Sequence, residues 1–273
     1  MKTILLTGAT DGIGLETAKM LGQSDEVGTL LLHGRSAAKL ENAKQEVINS
    51  ANGRDVKIET YIADLSDVNE TAIMADEIAS NHSSLDVIIN NAGILKTDSP
   101  ITKNGLDVRI VVNTLAPYLL TKKLLPLMGV AGRVVNLSSA AQAPVNLDFV
   151  MGKVKIDEAF AAYAQSKLAI TMWSKVLGEK LKGSGPLVVS VNPGSLLGSK
   201  MVKEGFGVDG GDLSIGADIL YRAAFSEEFK NRHGQYYDND AHCFSDPHPD
   251  ALIEGVSEHV TETVDKLCQE VLG

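Results

Sequence analysis

The 273-residue chain reads as an α/β protein, a doubly wound parallel β-sheet with helices on both faces. Short apolar runs alternate with longer helix-like segments. A glycine-rich turn follows the first apolar run directly. No Pro- or Ser-rich linker, repeat or low-complexity tract divides the chain, which is read as one domain over residues 1–273.

In chain order, residues 4–7, 30–33, 56–62, 87–90, 133–137 and 188–192 read as buried strands. Most are near-continuous apolar runs rather than alternating ones, which is the pattern of strands covered on both faces. Between them, residues 12–21, 37–50, 68–81, 105–128 and 157–181 read as crossover helices. Strand–helix–strand connections are right-handed, which selects the doubly wound topology. Gly183-Ser184-Gly185-Pro186 stops the last of these helices ahead of the sixth strand. Residues 143–156, 195–211 and 239–250 are less regular. The first two follow predicted strand ends, where open α/β sheets bind ligands.

Hydrophobic content of 44% and charged content of 22% fit a soluble globular protein. A net charge of −10 argues against a nucleic-acid surface, which needs clustered Lys and Arg. Cys243 and Cys268 are too few and too distant for a disulfide-stapled fold, and the scattered histidines form no metal-site spacing. The first apolar run is too short for a signal peptide, and no stretch is long enough to span a membrane. A cytoplasmic protein without a metal is the expectation.

Two local patterns point to chemistry. In Thr7-Gly8-Ala9-Thr10-Asp11-Gly12-Ile13-Gly14, between the first strand and first helix, glycines let the backbone approach a pyrophosphate at a helix N-terminus. In Tyr163-Ala164-Gln165-Ser166-Lys167, tyrosine and lysine lie four apart on one helix face. A phenol alone is a poor acid or base near neutrality; a neighbouring ammonium favours the phenolate. The same spacing also occurs on many solvated helices.

These motifs, with Asn90-Asn91-Ala92-Gly93, Ser138-Ser139 and Pro193-Gly194, stand in an order that resembles the short-chain dehydrogenases/reductases. The resemblance implies a Rossmann fold and hydride transfer between a nicotinamide cofactor and a carbonyl or alcohol. It implies cofactor contacts from Gly8, Thr10, Asp11, Gly12, Ile13 and Gly14. Further contacts are implied from Asp64, Leu65, Asn91, Ala92, Gly93, Tyr163, Lys167, Pro193, Gly194, Ser195 and Leu196. Asp64 is also placed to cap the following helix. Where an acidic residue would hold the adenosine ribose, the second strand ends in Arg35-Ser36, which resembles NADP-preferring members; an exposed junction arginine is the alternative. NADP(H) is therefore expected over NAD(H).

The resemblance implies a catalytic set of Asn113, Ser139, Tyr163 and Lys167. Lys167 would lower the Tyr163 pKa and bind the nicotinamide ribose, Ser139 would hold the substrate oxygen, and Asn113 would support a proton path beneath the lysine. By composition alone Ser138 competes with Ser139. Many relatives carry Thr a few residues after Pro-Gly; Ser199 stands there instead. The 24-residue spacing from Ser139 to Tyr163 includes a segment over 144–159 with Asn146-Leu147-Asp148-Phe149, which resembles the retinol-dehydrogenase-like branch. So does the end, from Gly234-Gln235-Tyr236-Tyr237 to a final helix. The hydrophobic N-terminal anchor of membrane-bound members is not seen. Phe149, Val150, Met151, Leu197, Met201, Val202 and Phe206 form either an apolar substrate wall or loop packing. A small, lipophilic carbonyl or alcohol is the expected partner, and the 105–128 and 157–181 helices are compatible with a homo-oligomer. Two other readings are a silent NADP-binding regulatory or scaffold protein and a sugar-nucleotide epimerase or dehydratase.

Overall fold

A computed structural model describes the backbone of residues 1–273 and every side chain except that of Phe206. One sheet runs through it in the order β3-β2-β1-β4-β5-β6-β7-β8. The strands are β1 (Lys2–Leu6), β2 (Val27–Gly34), β3 (Lys57–Ile62), β4 (Val87–Asn90), β5 (Arg133–Leu137), β6 (Leu187–Asn192), β7 (Tyr236–Asp238) and β8 (Cys243–Ser245). All neighbours pair in parallel except β7 and β8. The sheet thus carries an antiparallel edge strand and two strands beyond the six expected. Each extra strand has only three residues, too short for an apolar run to stand out.

Side-chain alternation separates two cores. Leu5, Leu31, Ile88, Val134 and Val188 face one layer, while Ile4, Leu6, Leu30, Leu32, Ile89, Val135 and Val189 face the other. The first layer is closed by helices α3 (Val68–Asn81), α5 (Ala116–Leu124), α7 (Ala159–Leu181) and α10 (Val256–Leu272). The second is closed by α1 (Gly12–Gln23), α2 (Ala37–Ser50) and α9 (Leu213–Phe225). Arg133 ties α9 to the sheet by donating through Nη1 to the carbonyls of Ala223 and Ser226. These groups end the helix and have no partner within it.

The helix expected over 105–128 forms as one helical segment from Val108 onward, but it is not a regular α-helix throughout. Gly105 takes φ +79 in a turn, Asp107 caps α4 (Val108–Ile110), and a π-helical turn covers Val111–Leu115 before α5. The π turn contains Asn113; such turns insert one residue and redirect a side chain, which helical periodicity does not encode. A 3₁₀ turn at Leu125–Leu127, with Pro126 inside it, ends the segment. The first two of the three irregular stretches contain short helices, α6 (Leu147–Val150) and α8 (Lys200–Phe206). The α9 helix lies beyond the five expected crossover helices.

The final helix is fastened from several sides. Val260, Val264, Leu267 and Cys268 form its buried stripe. Tyr118 on α5 donates to Asp265 Oδ1 at 2.9 Å and meets Trp173 of α7 edge-on at 5.5 Å. Burial pushes the Cys268 thiol up to about 12, so it behaves as an apolar core residue. Leu267→Ala should lower the free energy of unfolding by roughly 2–4 kcal/mol in denaturant titration, as for other buried large-to-small changes.

Candidate active site

The C-terminal ends of β1 and β4, where the strand order reverses, receive the glycine-rich turn. Gly8 takes φ +65, and a Cβ there would stand 2.9 Å from Ala92 Cα. A Cβ on Gly14 would lie 2.0 Å from Gly8 O and 2.5 Å from Asn91 Nδ2, closer than atoms can approach. Asn91 Nδ2 donates to Thr7 O and Gly8 O at 2.9 and 3.1 Å. Thr7 Oγ1 accepts from the amides of Asn91 and Ala92, both at 3.1 Å. Asp11 caps α1 by accepting from Gly12 N. Thr10, Ile13 and Gly12 follow on this scaffold, a turn of the kind that admits a pyrophosphate at a helix start.

His33 holds the same turn from β2. Gly8 N donates to its Nδ1 at 3.3 Å, so Nε2 carries the proton and donates to Ala63 O at 3.0 Å. The ring is buried, and burial lowers its pKa to about 4. Beyond it, Arg35 is exposed and has no ion-pair or hydrogen-bond partner among the described residues. Ser36 caps α2 by accepting from Lys39 N at 3.4 Å. A free guanidinium beside a helix N-terminus is a fitting donor set for a second phosphate. Asp64 accepts from Ser66 N at 3.0 Å, whereas Asp67 caps α3, correcting the expectation that Asp64 caps that helix. Leu65 is buried in the core.

The four expected catalytic residues converge at the ends of β4 and β5. The Ser139 side chain stands near enough to the Tyr163 phenol to favour its ionised form. Lys167 Nζ lies 5.6 Å from the Tyr163 ring centroid and donates to Leu137 O at 2.7 Å. Asn113 is fully used: Oδ1 accepts from Ile94 N at 2.8 Å, and Nδ2 donates to Ile94 O and Ser166 Oγ, each at 2.9 Å. Ser166 in turn donates to Tyr163 O at 2.6 Å. A Cβ on Gly93 would stand 3.4 Å from Asn113 Oδ1 and 3.6 Å from Lys167 Nζ, so both polar heads border that glycine.

Two details differ from the bare motif. Ser138 Oγ is bound to Thr171 Oγ1 and Lys167 O inside α7, which separates it from Ser139. The expected depression of the Tyr163 pKa is reversed. Burial pushes the phenol up, the Ser139 side chain opposes this, and burial lowers Lys167 to about 7. A buried ammonium that has lost much of its charge near neutrality cannot strongly favour a phenolate.

The turn after β6 faces this group. Gly194 takes φ +123 and Leu196 φ +51. Asn239 donates to Pro193 O at 2.9 Å, and Asp240 accepts from Ser195. Ser199 caps α8, and its Cβ lies 3.5 Å from the Cβ position of Gly12. Of the expected apolar wall, Phe149 and Val150 are core residues, a correction explained by α6 folding their side chains under the loop. Leu197 is buried; Met151, Met201 and Val202 are half-buried; the Phe206 side chain lies outside the described residues.

Residues 2–206 match the model of the family described as short chain dehydrogenase. The chain belongs to that family. Within it the chain resembles the retinol-dehydrogenase-like branch and is a dehydrogenase/reductase. It is 29% identical to retinol dehydrogenase 13 of Mus musculus over 87% of this chain and 75% of that protein. It is 34% identical to retinol dehydrogenase 11 of Homo sapiens over 71% of this chain and 61% of that protein. A crystal structure of a putative uncharacterized protein from Mycobacterium Paratuberculosis superposes with TM-score 0.79 at 25% identity, covering 98% and 94% of the two chains. A putative short chain dehydrogenase from Shigella flexneri 2a str. 301, complexed with NADP, superposes with TM-score 0.67 at 27% identity, covering 88% and 97%. Among the described residues no helix is long and apolar enough to cross a membrane.

For this short-chain dehydrogenase, the motifs missed His33, Ser166, Asn192, Tyr236 and Asp240. His33 had one legible signal, since an imidazole inside an apolar strand needs two partners. Ser166 lies within the Tyr163–Lys167 motif itself, while Asn192, Tyr236 and Asp240 join the site from β6, β7 and the turn after β7. As pH falls, the unfolded chain protonates His33 before the folded chain does. Stability is therefore complete above pH 6.5 and is lost toward about pH 4. Denaturant titrations should show wild type losing on the order of 3 kcal/mol relative to His33→Gln across that window. Parallel pH profiles would contradict this.

Proposed function

We propose that the chain is an NADP-dependent oxidoreductase that interconverts a carbonyl and an alcohol, with Asn113, Ser139, Tyr163 and Lys167 as its catalytic set. The observation that carries this reading is the convergence of Tyr163 and Ser139 beside the buried Lys167, whose Nζ lies 5.6 Å from the Tyr163 ring. The glycine turn, which leaves no room for side chains at Gly8 and Gly14, fits a dinucleotide pyrophosphate. Arg35, free of partners, fits the 2′-phosphate that distinguishes NADP; the NADP complex of the Shigella relative supports the same preference. Residues 1–273 would act as one dinucleotide-binding domain, with substrate loops near 143–156 and 195–211.

When bound, the nicotinamide cofactor supplies or accepts the hydride. Ser139 would hold the substrate oxygen and Tyr163 would donate a proton to it as negative charge develops. A phenol held above its ordinary pKa is protonated near neutrality and can serve as the proton donor when a carbonyl is reduced. Lys167, lowered to about 7, can take up or release a proton in the same range. Asn113 and Ser166 link α7 to the π turn and keep the Tyr163 backbone in place. The Phe160 ring stands 6.5 Å from that of Tyr163, and Leu196 and Val208 are exposed apolar residues of the 195–211 loop. These support a small lipophilic carbonyl substrate. The free thiols Cys243 and Cys268 are in keeping with a cytoplasmic setting. A homo-oligomer through α5 and α7 would have to form around α10, which packs against both.

Two measurements test this. Tyr163→Phe should lower NADPH-dependent turnover across a carbonyl panel by about 10²-fold or more, with NADPH binding kept. Unchanged turnover would remove Tyr163 from the mechanism, and NADPH binding without turnover in wild type would favour the scaffold reading. Arg35→Ala should lower kcat/KM for NADPH by roughly 10–100-fold, from the loss of a charge-assisted contact, while the value for NADH stays within about twofold. Equal effects on both cofactors would contradict the phosphate role.

A further inference from the structure

Five residues of the C-terminal portion, Tyr236 to Asp240, reach both walls of the candidate site. Tyr236 on β7 donates through Oη to Ser139 O at 3.2 Å. Four residues later, Asp240 accepts from Ser195 N at 2.8 Å through Oδ1 and from Ser195 Oγ at 2.5 Å through Oδ2. Asn192 Nδ2 donates to Asp240 Oδ2 at 2.9 Å and to Asp238 Oδ1 at 2.8 Å. The Oδ1 of Asn192 then accepts from Gly194 N at 3.3 Å. Asp240 N donates to Asp238 Oδ1 at 3.1 Å, which fixes the turn carrying the carboxylate.

Asp240 is exposed, as is Ser195. An exposed carboxylate adds nothing to core burial, and water can replace its bonds at little cost to global stability. What water cannot reproduce is the common geometry of the acceptors. Asp240 alone bridges Ser195 and Asn192, and β7 is locked by its parallel pairing of Ser190 with Tyr236 and Asn192 with Asp238. The spacing between the Ser139 backbone and the Gly194-Ser195 amides is therefore set by one short piece of chain.

We propose that Asp240 is a positioning residue for hydride transfer, its carboxylate holding the Pro193-Gly194-Ser195 turn at a set distance from Ser139. The role in transfer rests on the oxidoreductase reading above; the clamp itself does not. Removing the clamp lets the turn move by fractions of an ångström. Such misplacement slows a hydride step more than it weakens binding.

Asp240→Ala and the isosteric Asp240→Asn test this in two arms. In the first, amide hydrogen exchange is followed in the free chain, without substrate. Asp240→Ala should speed exchange of Gly194 and Ser195 about tenfold or more, while Val189 and Val191 of β6 change less than about twofold. Unchanged exchange at the turn, or a uniform increase, would overturn the clamp. In the second arm, kcat with NADPH and a carbonyl should fall about tenfold for Asp240→Ala and less for Asp240→Asn. The isotope effect from [4-²H]NADPH should rise, and the melting temperature should move only a few degrees. A fall in kcat with an unchanged isotope effect and a matching loss of melting temperature would mark a merely structural residue and overturn the proposal. If wild type oxidises NADPH with no carbonyl, the oxidoreductase reading fails, while the exchange arm still judges the clamp on its own.

Discussion

The closure of backbone on backbone at the end of β1 governs everything built around it. Gly14, at the start of α1, sits so close to Gly8 O that no Cβ can stand between them. Asn91 locks the contact by donating to the carbonyls of Thr7 and Gly8, and His33 receives the Gly8 amide from the other side. Four strands are thereby joined at one point: β1 through Thr7 and Gly8, β4 through Asn91, β2 through His33, and β3 through Ala63. The fit of a dinucleotide follows from this knot, because the same absence of side chains that permits the contact also leaves the amides approachable.

From that point the site grows by borrowing groups from successive strand ends. β5 presents Ser139, with Ser138 turned away into α7. The π turn before α5 presents Asn113, and α7 presents Tyr163 and Lys167. Burial then dictates their protonation. Removal from water lowers Lys167 to about 7 and raises the Tyr163 phenol, so burial favours the neutral form of both groups. The proton chemistry of the pair is thus set as much by the depth of the pocket as by the identity of its residues.

The last third of the chain serves as a brace rather than an appendage. Helix α10 closes the core over α5 and α7, and Asp265 receives Tyr118 from below. The β7 strand adds Tyr236 to the Ser139 backbone and leads into Asp240 beside Ser195. These contacts link residues about 45 to 147 positions apart in sequence, and they determine how well the two walls of the site face one another.

The sequence by itself determined the α/β class, six of the eight strands, helices at 37–50 and 68–81, and the motif residues placed at the strand ends, but not His33, Asn192, Tyr236 or Asp240. Long apolar runs and ordered glycine, serine, tyrosine and lysine motifs are local signals, and each survives reading one segment at a time. Tertiary structure alone decided the π turn inside the 105–128 helix, the short β7 and β8 strands, the burial of Phe149 and Val150, and the bonding of Ser138 into α7. It also decided the direction of the Tyr163 and Lys167 shifts and the reach of Asp240 to Ser195. These properties depend on which surfaces lose water and which distant strands become neighbours, and neither is encoded in the spacing of residues along one element.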